Sequence, residues 1–279
     1  MARIEPEGPA LLRRAKMLPR ILTAPLRSSP DFLIVGAQKG GTTSLYSILS
    51  QHPSVDEAWK KEIHYFDLRY SRGWPWYRAH FPTRAPFNRS GRRWAGEATP
   101  YYLFHPHVPR RVRDQLPDVK LIALLRDPVA RAYSHYNHLV RLGHESLSFE
   151  EAVRQEGERL GDAMGELMRD EWAYSPELRN YSYLARGRYA EQLERWWAMF
   201  PREQLLVLKS EDFYQNPEAV FPRVLDFIGL PQWSPGTFRE YNAGSYEQMT
   251  PALERWLRDH FEPHNQRLYG LLGEDWGWG

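Results

Sequence analysis

The chain contains no cysteine among its 279 residues. Disulfide staples, thiolate nucleophiles and cysteine-bound metals are therefore excluded. A cysteine-free composition fits a reducing compartment and sets the expectation of a cytoplasmic location. No run approaches the roughly 18 consecutive apolar residues that a membrane span requires, and no stretch reads as a secretory signal. Internal repeats and long low-complexity segments are missing as well. Also absent is G-x-x-x-x-G-K-[ST], the phosphate loop of ordinary ATPases, in which Lys adjoins a metal-binding hydroxyl.

Charge of one sign is scarce overall, at a formal +2, but unevenly placed. Residues 1–30 carry Arg3, Arg13, Arg14, Lys16, Arg20 and Arg27 against Glu5 and Glu7, a net of +4 that leaves −2 for the remainder. The basic excess thus sits in a Pro-containing leader, and the body is not built to bind a polyanion such as nucleic acid. The leader is expected to be flexible, with at most a weak contact to a membrane surface.

Aromatic residues are plentiful, at 14% with eleven Trp. They suit a thick core or an aromatic acceptor pocket, and Trp74-Pro-Trp76-Tyr77 fits either use.

Asp31–Gly36 (DFLIVG) reads as a buried strand and Thr42–Gln51 as the helix that follows it. Further strands are expected near Trp94–Glu97, over Val119–Arg126 and over Gln204–Leu208. Helices are expected around Val108–Leu116, from Pro128, over Phe149–Arg159 behind a Ser148 cap, over Tyr183–Phe200, and near 217–229 and 250–271. Residues 52–93 and 160–180 read as irregular and as a polar insertion. Strands alternating with helices predict an α/β fold: a P-loop-type central parallel sheet with helices on both faces, forming a single domain over 31–279.

Gly36-Ala-Gln-Lys-Gly-Gly-Thr-Thr-Ser44 joins the first strand to its helix. Glycines let the backbone approach an anion closely, and the amides at the helix start point at it. Lys39 adds a cation; Thr42, Thr43 and Ser44 add hydroxyls. Because Lys39 precedes Gly40 and Gly41, the loop differs from a metal-dependent ATPase loop. The second long strand ends in Arg126, and Ser134 lies two turns into the next helix, a pairing suited to a second phosphate. In Lys60-Lys-Glu-Ile-His-Tyr-Phe-Asp67, Glu62 and His64 share one face of an extended segment. Either could deprotonate an acceptor hydroxyl. His105-Pro-His107 and the histidines of Tyr133–His138 have no partner cluster at zinc-like spacing, so no metal is expected.

Taken in order, FLIVGAQKGGTTSL (32–45), KEIHYFD (61–67), GEATPYYL (96–103) and LLRDPVARAYSHY (124–136) resemble the sulfotransferases that use 3′-phosphoadenosine 5′-phosphosulfate (PAPS). The likeness is strongest to the branch containing heparan sulfate sulfotransferases and their bacterial relatives, and extends over about residues 31–278. It implies sulfuryl transfer from PAPS to a hydroxyl of a carbohydrate or other small alcohol or phenol, by in-line displacement and without metal. Carried over by position, Lys39, Gly40, Gly41, Thr42, Thr43 and Ser44 hold the 5′-phosphosulfate, and Arg126 and Ser134 hold the 3′-phosphate. Glu62 matches the general base and His64 an acceptor-site histidine. Tyr183, Arg188, Gly244 and Ser245 lie in segments that close over the nucleotide. Many relatives place lysine in the GE-K-[ST]-P segment where this chain has Ala98, so Lys60 or Lys61 is expected to supply that charge. A P-loop kinase or nucleotide hydrolase, and a non-catalytic nucleotide- or glycan-binding module, are the competing readings.

Overall fold

A computed structural model describes residues 10–84, 92–238 and 249–279, with side chains from residue 16 onward. Five strands form one sheet: β1 (Phe32–Gly36), β2 (Val55–Glu57), β3 (Trp94–Ala98), β4 (Lys120–Leu125) and β5 (Leu205–Lys209). Their spatial order is β2-β3-β1-β4-β5, and every adjacent pair is parallel. The helices before the middle of the chain are α1 (Ala10–Leu22), α2 (Thr42–Leu49), α3 (Trp74–Arg78), α4 (Val108–Gln115) and α5 (Pro128–Arg141). Beyond them come α6 (Phe149–Arg154), α7 (Glu156–Leu160), α8 (Ala163–Arg169) and α9 (Pro176–Tyr181). The last four are α10 (Tyr189–Trp197), α11 (Ser210–Gln215), α12 (Pro217–Ile228) and α13 (Pro251–Leu272).

Every residue of β1 is buried, as a central parallel strand requires. Alternation along its pleat sends Phe32 and Ile34 to one side, where Leu45 and Leu49 of α2 and Val224 of α12 cover them. Leu33 and Val35 face the other side, against Val112 of α4, Trp196 of α10 and Leu268 of α13. Helices on both faces are thus obligatory. The chain builds β2 and β3 on one flank of β1 and then crosses to β4 on the other. Such a reversal of strand order opens a crevice at the carboxyl ends of the strands.

Several elements differ from the sequence expectation. Segment 52–93 contains β2 and α3. Trp74 and Trp76 pack against the core beside the fully buried Tyr77, so this aromatic run is structural. The helix expected from Tyr183 begins only at Tyr189, after a 3-10 turn over Ala185–Gly187. At Gly187 an added Cβ would lie 2.5 Å from the Phe261 ring, so the chain passes tight against α13 there. The helix expected over 149–159 is broken at Gln155, although its Ser148–Glu151 capping box is present.

The leader is not simply loose chain, since α1 occupies part of it. Arg20 Nε donates to the Ala79 carbonyl at 2.6 Å, and Arg27 Nη1 to that of Phe81 at 2.8 Å. These carbonyls follow the short α3, where a helix end leaves acceptors unpaired, and the leader's arginines satisfy them.

Candidate functional site

The turn from β1 to α2 is clamped to the sheet edge. Ala37 N donates to Leu124 O at 2.7 Å, Gly40 N to Ala37 O at 2.9 Å, and the Ser210 hydroxyl donates to Gly40 O. A Cβ at Gly40 would lie 2.4 Å from the Leu124 carbonyl, so only glycine fits there. Gly41 has φ +96°, open to glycine but rare for other residues, and Lys39 itself sits at φ +70°. The N-terminus of α2 has neither a side-chain cap nor an acidic residue in its first turn. Its leading amides are therefore left for an external anion. Lys39, Gly41, Thr42 and Thr43 line a cavity of about 1090 Å³. Ser44 is buried, its hydroxyl 3.4 Å from Tyr214 Oη.

Arg126 and Ser134 line the same cavity. Arg126 Nη1 donates to Lys39 O at 3.4 Å, and its own carbonyl accepts from Tyr189 Oη at 2.8 Å. The following Asp127 caps α5, accepting from Val129 N and Ala130 N at 2.8 and 3.1 Å. Pro128 fits the first helical position. The Arg-Asp-Pro run is thus a cation followed by a helix start.

Glu62 and His64 also face this cavity, both in the left-handed region, at φ +55° and +56°. His64 Nδ1 is 2.7 Å from Asp67 Oδ2, and Nε2 is 3.6 Å from Glu62 Oε2. Burial works against the imidazolium, but Asp67 and Glu62 outweigh it and hold His64 up to about 9. Burial likewise works against ionised Glu62, yet His64 and Lys61 keep its carboxyl below its ordinary value. At neutral pH Glu62 is thus a carboxylate and His64 an imidazolium. Lys61 Nζ hydrogen-bonds Thr43 Oγ1 and lies 3.7 Å from Glu62 Oε1. Lys61 thus ties this segment to the start of α2.

Positive charge crowds around Lys39. Burial, then Arg141, Arg126 and Arg131, push the Lys39 ammonium down to about 8. Cationic crowding around glycines that admit close backbone approach suits a ligand with several anionic groups, as a bisphosphorylated nucleotide has.

Not every expected residue reaches the cavity. Tyr183 is wholly buried, its ring 5.0 Å from His135 and its hydroxyl donating to Glu145 at 2.6 Å. Arg188 precedes α10, where its charge acts on His260 and His264 of α13. Neither is among the residues that line the cavity. Within the same run it is Arg186 that lines it, hydrogen-bonded to the Gln38 side chain and the Arg179 carbonyl. Gly244 and Ser245 lie outside the described residues. Asp67, Arg186, Tyr214 and Trp278 were missed. Asp67 stood in a motif already noted, and Tyr214 follows a strand end, where ligand contacts concentrate. Among the described residues, no three His, Asp or Glu side chains gather as a metal site would need.

The sequence matches the family described as "Sulfotransferase domain" over residues 29–266. It is 31% identical to human "Heparan sulfate glucosamine 3-O-sulfotransferase 6", covering 91% of this chain and 75% of that protein. It is 28% identical to "Membrane-associated sulfotransferase kil1" of Dictyostelium discoideum, covering 89% of this chain and 66% of that protein. The crystal structure of a sulfotransferase from Alicyclobacillus acidocaldarius superposes with a TM-score of 0.72 at 33% identity, over 90% of this chain and 99% of that one. The cytoplasmic expectation does not stand beside a relative named as membrane-associated. It rested on the lack of cysteine, which removes disulfides but assigns no compartment. No described helix is long and apolar enough to cross a membrane. The parallel sheet, the glycine-bearing turn ahead of α2 and the family match over most of the length agree, and the chain belongs to the sulfotransferase family.

Proposed function

We propose that this protein transfers a sulfuryl group from PAPS to a carbohydrate hydroxyl, with Glu62 as general base. One observation carries the reading. Glu62 and His64, the latter held by Asp67, face the same cavity as the Lys39–Thr43 cradle, and Lys61 bridges the two. When bound, PAPS supplies the sulfuryl group, which gains a bond to the acceptor oxygen as its bond to the 5′-phosphate oxygen breaks.

The chain's own groups have separable tasks. Glu62 accepts the hydroxyl proton, and His64, itself held by Asp67, keeps that carboxylate ionised and oriented. Lys39, Lys61 and the α2 amides hold the negative charge that develops on the departing phosphate. Arg126 and Ser134 take the 3′-phosphate. Lys61 supplies the charge that Ala98 lacks.

A carbohydrate acceptor is supported by the relatives named as heparan sulfate glucosamine 3-O-sulfotransferases. Arg141 and Arg179, also lining the cavity, favour an acceptor with anionic groups near the reacting hydroxyl. The leader adds a weak contact to anionic lipid. Leu18, Leu22 and Leu26 recur four residues apart at 60, 75 and 65% exposure, close to the exposed Lys16.

Calorimetry in the presence of a chelator tests the donor assignment. Adenosine 3′,5′-bisphosphate should bind without metal, and ATP far more weakly. Tighter, Mg²⁺-dependent binding of ATP would favour a kinase or hydrolase instead.

A further inference from the structure

Glu97 ends the inner part of β3 and is completely buried. Among the described residues it has no ion-pair partner, and burial pushes its carboxyl up to about 7. Its hydrogen bonds come from three hydroxyls. Tyr77 Oη and Tyr102 Oη reach Oε1 at 2.7 and 3.0 Å, and Thr99 Oγ1 reaches Oε2 at 3.1 Å. A carboxyl group buried in a core is costly unless such bonds serve a purpose.

Two of the three hydroxyls have a second task. Tyr102 Oη accepts from Tyr65 N at 2.9 Å and Phe66 N at 3.4 Å, and Thr99 Oγ1 accepts from His64 N at 3.5 Å. The neighbouring Ala98 carbonyl accepts from Glu62 N at 3.2 Å. The end of β3 thereby takes up four amides of the segment that presents Glu62 and His64. A hydroxyl has one proton. When Tyr102 and Thr99 direct theirs at Glu97, their lone pairs must face those amides. The need is plain, because Glu62 and His64 both hold left-handed backbone angles, which persist only where the surroundings impose them. Tyr77 is different: among the described residues its hydroxyl hydrogen-bonds Glu97 alone.

We propose that Glu97 is a positioning residue: by orienting the Tyr102 and Thr99 hydroxyls, it fixes the Glu62–Phe66 turn so that Glu62 and His64 face the cavity. The proposal rests on Glu62 being the base, and its test keeps the two apart.

The experiment compares Tyr102→Phe with Tyr77→Phe in the full chain. Each removes one hydroxyl from the same carboxylate oxygen and keeps the ring. Tyr102→Phe should lower kcat by about ten- to a hundredfold, as a displaced reacting group does, with donor KM and bisphosphate affinity unchanged. His64, followed by NMR titration, should fall from about 9 towards its ordinary 6.5 as its carboxylate partners drift. Tyr77→Phe should keep kcat within about twofold and leave the His64 titration in place. Equal losses of turnover in both variants would reduce Glu97 to a stability role and overturn the proposal. So would a Tyr102→Phe protein with unchanged kcat and an unchanged His64 titration. A Glu62→Gln protein with wild-type turnover would sink the base assignment alone, and the His64 titration would still decide the role of Glu97.

Discussion

Donor binding should carry a proton with it. Lys39 sits at about 8 in the unliganded protein because burial and three arginines oppose its charge. Anionic phosphates in the cavity reverse that balance and return the ammonium to at least its ordinary range, near 10.4. At pH 9 the free site therefore holds Lys39 about nine-tenths neutral and the complex holds it charged, so binding takes up close to one proton. Near pH 7 the ammonium is already about nine-tenths present and the affinity should level off. Between about pH 8 and 10 the affinity of adenosine 3′,5′-bisphosphate should fall towards tenfold per pH unit. The ligand's phosphates titrate near pH 6 and do not contribute in this window. Calorimetry at pH 9 in two buffers of different ionisation enthalpy measures the uptake directly. Lys39→Arg keeps the charge throughout and should remove most of this pH dependence, leaving the smaller contribution of His64, which loses its proton near pH 9 in the same cavity. A flat affinity from pH 7 to 10 with no proton uptake would refute the electrostatic account of the cradle.

Three further outcomes follow from the geometry. Lys61→Met should lower kcat on the order of a hundredfold in steady-state assays, the usual effect of losing one charge-stabilising donor, while the chain stays folded. Gly40→Ala drives a Cβ into the Leu124 carbonyl, so urea melts should show a loss of about 1–3 kcal/mol and calorimetry a loss of bisphosphate affinity. Leu18→Glu with Leu22→Glu should abolish flotation with anionic vesicles, which should exceed flotation with zwitterionic vesicles in the unaltered protein, and leave turnover unchanged.

The proposed donor half of the site can be read from the sequence because its parts are contiguous. Residues 36–44 contain strand, glycines, cation, hydroxyls and helix start in one run, and Arg126 with Ser134 repeats the logic at the next strand. The sheet could be read for the same reason, since VKLIALLR is too apolar to be anything but a buried strand. Adjacency in sequence does not fix direction, however. Tyr183 and Arg188 lie within a few residues of the cavity-lining Arg186 but point into the core and towards α13. Arg186, Tyr214 and the link from Lys61 to Thr43 depend on tertiary approach across tens of residues, which no local pattern encodes. Glu97 was visible only as part of GEATP, and its hydroxyl partners become apparent once β3, α3 and the 100–102 turn are packed together.

The central claim, sulfuryl transfer with Glu62 as base, is met most directly by following labelled sulfate from PAPS to a panel of anionic and neutral oligosaccharides. The unaltered protein should label at least one acceptor hydroxyl in the presence of a chelator. Glu62→Gln should transfer about 10²–10⁴-fold more slowly, with adenosine 3′,5′-bisphosphate binding retained. No labelled product from any acceptor, or a Glu62→Gln protein that transfers at the full rate, would contradict it.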